Sequence, residues 1–125
     1  LKSQLLPAFR WSAIACLLAI AVLSLVPGDD RPHTGYSGNI EHLVAYVGTA
    51  FFTSAFLPAL RGWRSVLGLS LASALFEVLQ LFIPGRGPGV DNWLASTSGA
   101  VIGVGCAAFA ARLLPALFTA GRRDD

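Results

Sequence analysis

The stretch that decides the fold is SVLGLSLASALFEVLQLFIPGR, residues 65–86. Between Arg64 and Arg86 it carries one charge, Glu77, in 21 residues (65–85). A helix needs about 20 apolar residues, at about 1.5 Å each, to cross the hydrocarbon of a bilayer. The same spacing recurs along the chain. Uncharged gaps cover residues 11–28 between Arg10 and Asp29, 43–60 between His42 and Arg61, and 92–111 between Asp91 and Arg112. Four such gaps in 125 residues leave room only for short connections. The chain reads as a single domain over residues 1–125. Its expected class is all-α, an integral membrane bundle of four transmembrane helices at about 8–27, 40–60, 64–83 and 92–114.

Composition points the same way. Hydrophobic residues make up 54% and charged residues 13%, against about 25% charge in an average soluble domain. A small soluble chain must cover a large relative surface with polar groups, and this one lacks them. The same shortage of polar residues excludes disorder. The length excludes a multidomain enzyme. A net charge of +2 is too small to point to nucleic acid. Cys16 and Cys106 sit in apolar runs with no His or Cys at ligand spacing. They read as small hydrophobes, with no metal site and no cofactor expected. Lys2 and Arg10 before the first apolar run resemble a signal peptide. No clean small-x-small cleavage site precedes Pro27-Gly28, so the run is kept as a helix. A start at Leu1 instead of Met reads as a trimmed N-terminus.

The basic residues set an expected orientation. With four spans, Lys2, Arg10, Arg61, Arg64, Arg112, Arg122 and Arg123 share one side, and Arg31 and Arg86 the other. The excess of positive charge marks the cytoplasmic side. Both termini are therefore expected in the cytoplasm. Loop one (about 28–40) and loop three (about 84–91) then face outward.

That orientation gathers the polar chemistry at the outer end. An acid inside an apolar span costs several kcal/mol, roughly 2.5 or more at the centre, and so faces the bundle interior or water. Glu77 is that acid, about 10 Å of helix before Pro84. Gln80 shares its face three residues on, and His42 and Tyr46 share a face of helix two. Glu41 at the helix start suits the helix dipole. Loop three, Ile83-Pro84-Gly85-Arg86-Gly87-Pro88-Gly89-Val90-Asp91, holds two prolines and three glycines, which favour a tight turn over a helix. Such a turn can return Arg86 over the helix ends to pair with Glu77 or bind an anionic lipid or phosphate group. Each residue also has a plainer reading. Glu41 and His42 can be interfacial, Tyr46 a packing aromatic, and Glu77 a buried acid satisfied by a neighbouring helix. Arg86 can snorkel into headgroups, and Asp91 reads as the N-cap of helix four.

The expected site is one outward ligand-binding pocket. Glu77 and Gln80 form its floor, His42 and Tyr46 its wall and Arg86 its lid, with Glu41 and Asp91 at the rim. No catalytic residue is assigned. Helix four carries small residues four apart: Ala95, Gly99, Gly103, Ala107 and Ala111. This spacing allows close helix packing, either within the bundle or between two copies as a homo-oligomer. Ser96, Thr97 and Ser98 add hydroxyls near its outer end.

Several blocks together resemble the VanZ-like family of small bacterial membrane proteins. They are Asn39-Ile-Glu41-His42-Leu-Val-Ala-Tyr46, Phe76-Glu77-Val-Leu-Gln80-Leu-Phe-Ile-Pro84-Gly-Arg86, and Asp91 followed by Trp93-Leu-Ala-Ser-Thr-Ser-Gly99-Ala. The resemblance covers about residues 20–105. It implies that Glu41 and His42 match the polar start of the second helix. Tyr46, Glu77, Gln80 and Arg86 match recurring polar positions of the family. One departure is visible. An Asp-x-x-x-Asn pattern before the last-helix glycine is replaced here by Asn92 and Ser96, with the acid at Asp91. The family takes its name from a member that raises resistance to the glycopeptide teicoplanin.

Three function classes follow. The first is an envelope protein that binds a membrane lipid, or a lipid-linked or amphiphilic molecule, at the outer leaflet of the cytoplasmic membrane. It would thereby modulate glycopeptide-type resistance. The second is a membrane-embedded enzyme acting on a lipid headgroup, with His42 or Glu77 as base. No nucleophile or phosphate-cradling motif accompanies that base. The third is a small transporter subunit, for which a polar file reaching Arg61 or Arg64 would be needed.

Overall fold

The computed structural model describes residues 2–118. Arg122 and Arg123, used above for orientation, lie outside the described residues. Four long helices carry the fold: α1 (Lys2–Leu25), α2 (Gly38–Phe56), α3 (Trp63–Gln80) and α4 (Val90–Leu113). A short α5 (Pro115–Phe118) follows. Among the described residues there is no strand.

The four expected helices are present, and their ends differ for local reasons. Helix α1 runs back through Pro7 to Lys2, because a proline this near a helix start removes little of the hydrogen-bond ladder. Helix α2 begins at Gly38, where the Ser37 side chain accepts from the Ile40 N–H. It stops at Phe56, not near 60, because Pro58 drives Leu57 out of helical geometry (φ −110°, ψ 103°). Helix α3 starts after Gly62, whose φ of +63° suits glycine. It ends at Gln80, not 83. The last three residues tighten into i→i−3 bonds from Leu81, Phe82 and Ile83 before Pro84.

The expectation that Asp91 caps helix four is corrected. The helix begins at Val90, two residues before an Asp91 cap would start it, with extended Gly89 at the cap position. Asp91 falls in the first turn, where an acid still suits the dipole. Its carboxylate accepts from Asn39 Nδ2 at 3.1 Å, which ties the starts of α2 and α4 together.

The bundle mixes hydroxyls with apolar residues such as Ala50, Phe56, Leu69 and Ala100 inside and is apolar outside. Thr49, Thr53, Ser54, Ser65, Ser73 and Ser96 are buried, while Trp11, Leu18, Val22, Leu71, Leu75 and Phe109 are exposed. Helix pairs are joined by small residues and hydroxyls, as expected where no water drives apolar groups together. The tightest seam is α2 against α4. A methyl group built on Gly99 would stand 2.5 Å from the Leu43 carbonyl oxygen, and one on Gly103 2.3 Å from that of Val47. The small-residue stripe is thus used within the chain. Helix α3 joins α4 through Trp93 Nε1 donating to the Ser70 carbonyl (3.1 Å) and the Ser70–Thr97 hydroxyl pair (2.9 Å). Phe9, Phe56 and Phe118 stack at the end where α2 turns into α3. Cys16 and Cys106 are free thiols.

Two helices, α1 over Gln4–Leu25 and α4 over Val90–Leu113, are long and apolar enough to cross a membrane. Helices α2 and α3 are shorter, with 19 and 18 residues, and supply most of the buried polar groups.

Candidate functional site

Two Pro-Gly pairs build the other end of the bundle. Pro27-Gly28 follows α1 and Pro84-Gly85 follows α3. The Gly28 N–H donates to the Pro84 carbonyl at 3.0 Å. The backbones touch so closely that a methyl on Gly28 would lie 2.0 Å from the Gly85 oxygen. Gly85 has φ +73°, a conformation that side chains disfavour. This clasp brings Arg31, three residues beyond Gly28, to the same place as Arg86.

The polar groups of α3 and loop three then secure the neighbouring helix ends. The last carbonyls of α1 have no partner within their own helix. Gln80 Nε2 donates to the Ser24 carbonyl at 2.8 Å. Arg86 Nη2 donates to the Leu23 and Ser24 carbonyls at 3.1 and 3.0 Å. A cation at that terminus also suits the helix dipole. Burial lowers the Arg86 pKa from its usual value, Arg31 lowers it further, and Glu77 opposes both. Glu77, 9% exposed, does the matching work at the start of α4: its Oε2 accepts from the Gly89 N–H at 2.8 Å. That carboxylate does the capping that Asp91 was expected to do.

Of the two roles considered for Arg86, a pair with Glu77 is absent; the two residues make separate attachments to backbone. The one salt bridge among the described residues joins Arg31 to Glu41. Thr34 Oγ1 also donates to Glu41, at 2.6 Å. His42 Nδ1 lies 3.1 Å from Ser96 Oγ, which donates its own hydrogen to the Asn92 carbonyl at 2.9 Å. With that hydrogen committed, Ser96 accepts from His42, so the imidazole proton sits on Nδ1. The Tyr46 ring stacks at 6.3 Å from that of His42. Its hydroxyl faces Ser73 and Ser96 and completes a hydrogen bond with neither.

A cavity of about 550 Å³ opens beside these groups, between α1 and α2 and under the loop-one segment 31–36. Its charged and polar lining is Arg31, Glu41, His42, Tyr46 and Arg86, with Ser24, Thr34 and Tyr36 beside them. Its apolar walls include Ile20, Leu23 and Val44. The expected site thus divides in two. Glu41, His42, Tyr46 and Arg86 line the cavity; Glu77, Gln80 and Asp91 stand outside its lining and hold the surrounding helix ends. Arg31 is the residue that the sequence reading left out. Its signal was present: it and Arg86 are the two basic residues that break the charge asymmetry, and the fold puts both at one cavity.

A comparison with family models decides the family. The VanZ/LLP1 model matches residues 4–112, which take in nearly all of the four long helices and every residue of the cavity. The chain belongs to the VanZ/LLP1 family. No curated protein and no solved structure matches it. Two long apolar helices and VanZ/LLP1 membership together mark a membrane protein. The cavity therefore belongs to a VanZ/LLP1 domain whose helices meet through both hydroxyls and apolar residues and whose outward side chains are largely apolar.

Proposed function

We propose that this VanZ/LLP1 protein crosses the bacterial cytoplasmic membrane four times with both termini in the cytoplasm. Its cavity binds a lipid-linked or amphiphilic molecule of the outer leaflet, and by doing so modulates sensitivity to glycopeptide-type antibiotics. One observation carries the reading: a cavity of about 550 Å³ with apolar helix walls and charged groups gathered at the clasped end. That volume suits a small-molecule ligand, and an amphiphile matches both parts of the lining. The orientation rests on charge. Arg10, Arg61, Arg64 and Arg112 belong to the end away from the clasp, and the positive-inside rule puts that end in the cytoplasm.

The test is a substitution that fills the cavity without touching the core. Ala45 lines the cavity and is exposed to it. Cells expressing Ala45→Trp are expected to lose whatever shift in teicoplanin susceptibility the wild type produces, at equal membrane abundance. An unchanged shift contradicts the reading. A cysteine at Gly87 tests the orientation separately: it is expected to react with an impermeant thiol reagent in intact cells, and labelling only after lysis reverses the topology.

A second reading, a transporter subunit, is favoured by the buried hydroxyls. Ser73, Thr49, Thr53 and Ser65 follow one another through the bundle, and the last two pair at 2.6 Å. The Ser54 hydroxyl then accepts from the Gly62 N–H at 3.0 Å, next to Arg61. Ile20, Ala50, Leu69 and Ala100 form an apolar layer across that file, which favours the binding reading. Proteoliposomes that dissipate a pH gradient faster with the protein than without it would support transport instead.

A further inference from the structure

We infer that the cavity recognises the phosphate of a phosphate-headed amphiphile through Arg31 and Arg86, and that Glu41 occupies Arg31 as an internal competitor for that phosphate. The inference rests on the cavity reading above and names its ligand class. Two guanidinium groups from different loops line one cavity whose walls are otherwise largely apolar. An arginine fork matches carboxylate and phosphate oxygens in the same planar geometry. Arg31 already holds a carboxylate, that of Glu41, and so displays the kind of group it accepts. Arg86 uses Nη2 on the two α1 carbonyls, which orient its charge and do not neutralise it. Its Nη1 is closed off from solvent, so a ligand meets the charge of Arg86 through the other atoms with which the residue lines the cavity.

The surrounding charges decide between an anion and a zwitterion. Glu41 is engaged twice, by Arg31 and by Thr34, and leaves little for a ligand ammonium. Glu77 gives Oε2 to Gly89, and its unpartnered Oε1 is closed off from solvent on a residue outside the cavity lining. His42 spends its Nδ1 proton on Ser96. The open demand in the cavity is for negative charge. When a phosphate seats on Arg86 and Arg31, Glu41 gives up Arg31 and keeps Thr34.

The experiment measures binding to the purified full chain in dodecyl maltoside, which carries no phosphate. Three probes are compared: dioctanoyl phosphatidic acid, dioctanoylglycerol with the same chains, and inorganic phosphate. Phosphatidic acid is expected to bind more tightly than dioctanoylglycerol, and inorganic phosphate at equal concentration is expected not to displace it. Arg31→Gln should weaken phosphatidic acid by about tenfold, the worth of one charge-assisted contact. Glu41→Gln should tighten it, because the competitor loses its charge. Both positions lie in partly exposed loop or helix-start sites, so these variants keep the helix-end contacts made by Arg86. Equal affinity for both lipids, unaffected by Arg31→Gln, overturns the phosphate assignment and leaves an amphiphile cavity standing. Weaker binding in Glu41→Gln overturns the competitor role and points to an ammonium. Displacement by inorganic phosphate overturns the lipid source. Binding of neither lipid overturns the assignment and the cavity reading together.

Discussion

The two sides of α2 are built on opposite plans. Towards α4, glycines remove every side-chain atom that would separate the backbones: the sites of Gly99 and Gly103 stand against the carbonyls of Leu43 and Val47. Towards α1, the half of the same helix nearer the clasp presents Val44, Ala45 and His42 to an open cavity. The seam is specific and dry; the cleft is bounded mainly at its end, where the Pro-Gly pairs meet. The contrast shows how a small bundle keeps one helix fixed while leaving its other face open to a cavity. Four substitutions probe it, from the largest expected effect to the smallest.

The largest effect is expected on the seam. Gly103→Leu should abolish folded yield in detergent, because the added atoms meet backbone that cannot turn aside. Gly105, two residues on, has open space around it, and Gly105→Leu should fold normally. Equal yields for the two would place the stripe on a lipid-facing surface.

Next is the clasp. Gly28→Ala should cost about 1–3 kcal/mol, the usual penalty of forced overpacking, because its methyl meets the Gly85 oxygen. Gly87→Ala in the same loop meets nothing within 4 Å and should leave the melting temperature in place. A Gly28→Ala protein as stable as Gly87→Ala would show that the two loops are not locked together.

The third substitution asks whether Glu77 and Arg86 act on each other or on backbone. Glu77 holds Gly89 and Arg86 holds the end of α1. The charge exchange Glu77→Arg with Arg86→Glu should therefore be less stable than either single variant, since both attachments are lost. Rescue by the exchange would mean that a direct ion pair dominates. Smallest is Ala45→Trp in the cleft. Its stability should change by less than about 0.5 kcal/mol, as for other exposed sites. A large loss there would mean that the cleft closes in the membrane.

These contrasts track how far the sequence could be read. The helices were legible because the cost of charge in hydrocarbon spaces the charges, and a span of about 20 residues leaves its mark on composition. Their ends were less so: Leu57 yields to Pro58, and the turn at 81–83 continues an apolar run without continuing the helix. His42, Tyr46 and Arg86 were legible as cavity residues because helical spacing and a proline-glycine turn place them. Glu77 was legible as important, yet its partner is the Gly89 N–H, and a backbone donor has no side-chain signature. Arg31 escaped because its place depends on Gly28 meeting Gly85, a contact between distant loops that no local pattern records. Asp91 was misread by two residues for a related reason: α3 supplies a group that secures the start of α4 at Gly89.

The central claim is that the α1–α2 cleft holds an amphiphile while the rest of the outer surface meets only bulk lipid. A photoreactive diazirine residue at Val44, in the cleft, and another at Phe109, exposed on α4, test this in living cells, with adducts identified by mass spectrometry. The account predicts an adduct at Val44 that is enriched in one amphiphile, differs from the mixture at Phe109 and disappears with Ala45→Trp. The same lipid mixture at both positions, unchanged by Ala45→Trp, would contradict it.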